Sequence, residues 1–314
     1  MGVAKLAGLR MTADAESYVD ALHAVLSHKG WTSLSKPMLS GMTAFAFRFV
    51  VDRRLTAEAA TAYNWMAEHF VAADLIGVVT SQQAGFRFDA TFPLYREHAV
   101  PAIKASIDRG VGAIAWKDAF VVVTGYDDEK ALLYCSDGKA DEDGAIPYAS
   151  FGRNESPYWY YQIAEDIIEL DDREVVKESW MQAVAKWESH DPMLPEAEYA
   201  CGKNAYDAAI AALGSGQCDP GGARELLRRY AAAKRQIALY AAAVRDDWAE
   251  CGAIAEAYAE AAALFQAMTE ADGRAPRLIR LLEKARRAEE RAIAAIRSLL
   301  RESIGNRFGD TGLR

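Results

Sequence analysis

Few short patterns in this 314-residue chain place reactive side chains at a chemically meaningful spacing. Ser33-Leu34-Ser35-Lys36 matches the S-x-x-K spacing of serine acyltransferases, where a lysine amine takes the serine proton. That chemistry needs the pair one turn apart on a helix, and Pro37 puts the stretch in a loop, so the match reads as chance. Asp137-Gly138-Lys139-Ala140-Asp141-Glu142-Asp143-Gly144 gathers four acids that could meet a cation. It lacks the ligand spacing of a calcium loop, and an exposed turn is the simpler reading. The four cysteines, Cys135, Cys201, Cys218 and Cys251, form no C-x-x-C pair, which points to neither zinc nor a redox dithiol. Cys135 falls in an apolar run and reads as a small core residue. Arg224, Arg228, Arg229 and Arg235, interleaved with Tyr230 and Tyr240, could receive an anionic ligand or an acyl-carrier partner; solvated helix faces account for them more cheaply. No carboxylate–histidine pattern suggests a di-iron site, and no metal or cofactor is expected.

The elements that would position such groups centre on the stretch from Gly112 to Gly138. Gly112–Trp116, Phe120–Thr124 and Ala131–Cys135 read as three strands. Phe120-Val121-Val122-Val123 is the continuous β-branched and aromatic run of a strand buried on both faces. Gly125-Tyr126-Asp127-Asp128 supplies turn chemistry, its carboxylates suited to capping backbone N–H groups. Further strands are expected over 75–80, 147–151 and 158–164, the last carrying Tyr158-Trp159-Tyr160-Tyr161 as a pocket wall or, more simply, as core. Helices are expected over 14–29, 56–71, 92–109 and 172–190 from their apolar spacing, and one over 38–49 that is apolar nearly all round. After Asp191-Pro192-Met193-Leu194-Pro195, the best linker in the chain, everything reads as helix: 197–213, 222–245 and on towards 268, and 275–303, with turns at Gly214-Ser215-Gly216 and Asp272-Gly273.

The block of strands resembles the papain-like cysteine peptidases of the bacteriocin-processing type, and the related amino-acyl transferases typified by the butirosin biosynthesis protein H family. Their strand pattern is His-Phe-Val-Val-Val-x-Gly-Tyr-Asp, followed by a second strand ending in Asp. Phe120–Asp127 looks like the first, and Tyr134-Cys135-Ser136-Asp137 like the second. The resemblance covers about 36–165, and the helical tail looks like the domain that accompanies the transferases. It implies a central helix opened by a nucleophilic Cys, whose thiol the helix dipole acidifies and whose N–H groups help form an oxyanion hole. Matched through the following Gly41 and the Ala-Phe pairs, that position holds Ser40. The His position holds Ala119, with Asp118 one residue earlier. Only the Asp is kept, as Asp137. None of His23, His28, His69, His98 and His190 lies on that strand, and Ser40 has a plainer reading as a helix N-cap.

The expectation is therefore an α+β protein: a papain-like domain over 1–190, with a central helix on an antiparallel sheet, then an all-α bundle over 191–314. The net charge of −9 argues against nucleic acid or an anionic membrane as main partner, and residues 1–190 hold 27 acids against 18 bases while 191–314 hold 18 of each. The short apolar run of the first eighteen residues suits no signal peptide, no stretch suits a membrane span, and a cytoplasmic setting is expected. Two functions follow from the resemblance. In the first, the old cleft binds a small molecule or a peptidyl or acyl ligand without turnover, Ser40, Trp116, Asp118, Tyr126, Asp127 and Asp137 lining it. In the second, Ser40 serves an acyltransferase or an amide or thioester hydrolase, with Asp118 or Asp137 as base. The oligomeric state stays open.

Overall fold

Phe120-Val121-Val122-Val123 is buried on both faces because helices lie against both sides of the strand that contains it. The computed structural model describes residues 2–308 apart from Ala15 and Asp272. The chain divides into two units, Met1–Leu39 with Trp65–Glu169, and Ser40–Asn64 with Leu170–Arg314. The sequence division at 190/191 differs: 40–64 and 170–190 belong with the helical unit. The Asp272 half of one expected turn lies outside the described residues.

The first unit runs β1 (Val3–Lys5), α1 (Ser17–Lys29), the start of α2 (Lys36–Met42), α3 (Trp65–Asp74), β3 (Val78–Phe86), α4 (Phe92–Asp108), β4 (Ala113–Trp116), β5 (Phe120–Asp127), β6 (Leu132–Ser136), β7 (Gly144–Pro147) and β8 (Tyr158–Ile167). Its seven strands form one antiparallel sheet in the order β3-β8-β4-β5-β6-β7, with β1 added against β5. Alternation along the strands serves two cores. Ala113, Ala115, Val121, Val123, Trp159, Tyr161 and Ile163 point to α4, meeting Phe92, Ala99, Ile103 and Ile107. Phe120 and Tyr160 face the other way, onto Tyr18 of α1 and His69 of α3. Gly125 is required where β1 crosses: a Cβ there would lie 2.4 Å from the Ala4 carbonyl oxygen.

The second unit contains β2 (Val50–Asp52), α5 (Asp172–Glu188), β9 (Tyr199–Cys201), α6 (Lys203–Ser215), α7 (Pro220–Asp247), α8 (Gly252–Thr269) and α9 (Ala275–Phe308). β2 and β9 pair antiparallel, Val50 opposite Cys201. Asp171 caps α5 by accepting the N–H groups of Arg173 and Glu174. Phe47 packs among Trp180, Tyr240 and Tyr258, and Phe49 among Tyr206, Tyr230 and Phe265. Tyr230 closes the arrangement, its hydroxyl donating to the Val50 carbonyl at 2.6 Å and accepting the Val50 N–H at 2.8 Å.

Several expectations are corrected; the strand expected over 147–151, for one, is a 3₁₀ turn over Tyr148–Ser150 that follows β7. The 38–49 helix does not exist as one piece: α2 stops at Met42, Ala44 turns into the left-handed region at φ 57°, and a 3₁₀ turn carries Phe45–Phe47. The helices lying on β4 and β5 are α1 on one face and α4 on the other. The 56–71 helix is likewise two pieces, a 3₁₀ turn over Ala57–Thr61 and then α3. No described helix is long and apolar enough to cross a membrane.

Candidate functional site

Ser40 does not cap a helix. It is the fifth residue of α2, 3% exposed, and belongs to the second unit, whereas Asp118 and Asp137 belong to the first. Asp118 sits in the tight turn between β4 and β5 at φ 58°, and its carboxylate accepts the N–H groups of Glu155 (3.1 Å) and Ser156 (3.0 Å). Trp116 reaches the same loop, its indole N–H donating to Ser156 Oγ at 2.7 Å. Asp137 folds its own loop, taking the Lys139 and Ala140 N–H groups at 2.9 and 3.1 Å. Those backbone donors hold the Asp137 carboxyl below the usual carboxylate range.

Tyr126 and Asp127 lie about 20 Å from Phe120 and the Asp118 turn, at ~3.3 Å per residue along β5. Asp127 caps Glu129 and Lys130 at 3.0 Å each, as its turn chemistry suggests, and the Tyr126 hydroxyl donates to Asp108 at 2.8 Å. Trp116 and Asp118 therefore share one end of the sheet, whereas Tyr126 and Asp127 stand at the opposite end. In the acidic loop, Asp143, like Asp137, is engaged within the protein: it pairs with Lys5 at 2.9 Å and accepts from Thr124. Among the described residues no three His, Cys, Asp or Glu side chains gather as metal ligands.

Lys36 of the S-x-x-K match is a structural cation, its amine held by Thr12, Asp14 and the buried Asp20. Cys135, Cys201 and Cys251 are buried, and burial pushes the Cys251 thiol up to about 11 and raises that of Cys135. The basic face of α7 is also reassigned. Tyr230 and Tyr240 are core residues, and Glu225 binds Arg228 at 2.7 Å and Arg229 at 3.0 Å. The Arg228 hydrogen bond, with Arg229 behind it, lowers the Glu225 carboxyl to about 2. A depressed carboxyl stabilises the fold above its unfolded value and loses that contribution as pH falls towards 2. Glu225→Gln should thus cost about 0.5–1 kcal/mol at neutral pH, an amount already discounted for solvent screening. The gap from wild type should close between pH ~4.5 and ~2 in denaturant titrations; a gap independent of pH would contradict the ion-pair account.

The residue that sequence reasoning missed is Ser17. It opens α1, and its Oγ accepts the Phe120 N–H at 3.2 Å, directly after Ala119. Beside it, the Tyr18 ring stacks on the fully buried His69 at 3.5 Å between centroids and 1° between planes. The Tyr18 hydroxyl, raised far above its usual range by burial, donates to Gln162 Oε1 at 3.0 Å. Gln82 continues this network by accepting from Tyr160 at 2.8 Å and from Gln162 at 3.3 Å, while donating to the Met66 carbonyl. Over this polar floor the rings grade outward. Phe120 contacts Trp116 and Trp65, and Trp65 in turn contacts Tyr158, which is 43% exposed. The sequence signal for Ser17 is a polar residue immediately before the apolar spacing of the first helix.

Compared with protein-family models and with curated proteins, the chain matches none.

Proposed function

We propose that the first unit is a papain-like fold whose nucleophile–base constellation is absent and whose site binds a small molecule or a peptidyl or acyl ligand without turning it over. In the papain-like pattern the nucleophile opens the helix on the sheet and the base immediately precedes the Phe120 strand. Here those places hold Ser17 and Ala119. The observation that supports the reading is that Ser17 Oγ accepts the backbone N–H of Phe120, while the residue before Phe120 is Ala119, which has no ring to act as a base. Asp118 and Asp137 are occupied by backbone N–H groups, and the lowered Asp137 carboxyl is a poor base towards a hydroxyl. What remains at that end of the sheet is an aromatic wall of Trp116, Trp65 and Tyr158, suited to stacking on the planar or apolar part of a ligand.

The test pairs turnover with binding. Simple peptide and acyl-thioester substrates should be hydrolysed no faster than in buffer, and a fluorophosphonate should label neither wild type nor the Ser17→Ala and Ser40→Ala variants. An aromatic acyl thioester should quench tryptophan fluorescence saturably, and Trp65→Ala should weaken that binding about tenfold, an aromatic contact being worth on the order of 1 kcal/mol. Fluorophosphonate labelling of wild type that disappears in Ser17→Ala or Ser40→Ala would replace this reading by serine-dependent acyl transfer.

A further inference from the structure

Within the helical unit, the segment joining α5 to α6 and the stretch of α6 from Asn204 to Ala211 line a cavity of about 450 Å³, a size suited to a small metabolite. Its rim is braced by the protein itself. Pro192 and Pro195 restrict the backbone of the joining segment. His190 Nε2 donates to the Leu194 carbonyl at 2.8 Å. Arg53, just past β2, donates from Nη2 to the Glu196 carbonyl at 2.7 Å and from Nε to the Ala197 carbonyl at 3.4 Å. These bonds use one edge of the guanidinium. The Nη1/Nη2 edge stays open, and Arg53 forms no ion pair among the described residues.

We infer that this cavity binds a free α-amino acid with an apolar side chain, as its zwitterion. An open guanidinium edge is the fork that a carboxylate meets with two parallel hydrogen bonds. The Asn204 carboxamide and the Glu196 carboxylate, both in the lining, have no side-chain hydrogen bond among the described residues and are available to the carboxylate and the ammonium respectively. Asp207 gives one oxygen to Arg286 at 2.5 Å and keeps the other for the ammonium. With Asp207 matched by Arg286, the remaining charges of the lining, Arg53 and Glu196, sum to zero, which suits a zwitterion better than a net anion or cation. The rest of the wall is Ala208, Ala211 and the Tyr199 ring, an apolar surface for the side chain. The site lies wholly in the second unit and is independent of the aromatic wall of the first.

Isothermal titration of the full chain with L-leucine and L-phenylalanine tests this. One or both should bind saturably, with a dissociation constant of about 1 mM or tighter. Their amides, which lack the carboxylate, and their N-acetyl forms, which lack the ammonium, should bind at least about tenfold more weakly. Arg53→Gln should weaken the free amino acids by a similar factor. Ala211→Phe, at an exposed position of α6, should fill the cavity and abolish binding with unchanged circular dichroism. Trp65→Ala, in the first unit, should bind as wild type does. Absence of binding by both amino acids up to about 10 mM would overturn the inference. So would amides that bind as well as the acids, binding that Arg53→Gln and Ala211→Phe both leave intact, or binding that Trp65→Ala removes.

Discussion

Lys234→Met is expected to lower the unfolding free energy by about 3–5 kcal/mol, and adding Glu289→Leu to recover most of that loss. Lys234 is 2% exposed and Glu289 3%, and the amine and carboxylate form an ion pair inside the helical unit. The ammonium also lies over the Phe49 and Phe265 rings, at 5.2 and 5.7 Å. The second carboxylate oxygen accepts the Tyr206 hydroxyl at 2.8 Å, and burial, with the carboxylate beside it, pushes that phenol well above its usual range. Removing the lysine alone leaves a buried carboxylate with one neutral donor, an arrangement far worse than either the pair or its absence. Two apolar residues of similar volume remove both charges together, and Tyr206→Phe should help by deleting the hydroxyl left without its acceptor. Denaturant titration of the single, double and triple variants decides it. A Lys234→Met protein within about 1 kcal/mol of wild type would show that the pair is solvated in solution.

Gly41→Ala is expected to cost about 2–3 kcal/mol, although alanine is ordinarily the better helix residue. A Cβ at Gly41 would fall 2.1–2.5 Å from three atoms of the Tyr240 ring. The ring has little room to retreat. Tyr240 is fully buried, its hydroxyl shares a 2.7 Å hydrogen bond with Ser179, and Trp180 packs on it at 5.0 Å. In a Tyr240→Leu background the same alanine should cost under about 1 kcal/mol, because contacting residues couple and removal of the ring removes the clash. Equal costs in both backgrounds would refute the contact as the cause.

What could be read in the sequence was what local pattern controls. Strands β4, β5 and β6 were legible because a strand covered on both faces needs an uninterrupted apolar run, and α1, α4 and α5 because each buries one face at helical spacing. The second half of β3, Ser81–Gly85, carries neither β-branched nor aromatic residues; its conformation comes from pairing with the aromatic β8 strand, information that sits some eighty residues away. β2 and β9 are three residues each and exist only as partners. At the site, the capping role of Asp127 followed from its turn, whereas Asp118 is fixed by the distant Glu155–Ser156 backbone. Ser40 was matched through the residues around it, Gly41 and the Ala-Phe pairs. Gly41 turns out to be there for Tyr240, which removes the basis of the match.

The interleaving of the two units also sets a timetable for synthesis. Phe47 and Phe49 leave the ribosome early, yet the rings that bury Phe49 include Phe265, 216 positions later. At 5–20 residues per second that is a delay of about 10–40 s, during which the native burial of a strongly apolar segment is incomplete. The nascent chain is therefore a natural client for holding chaperones over that interval, and slow translation through 200–265 would lengthen the exposure of Phe45–Val51 rather than help the protein fold.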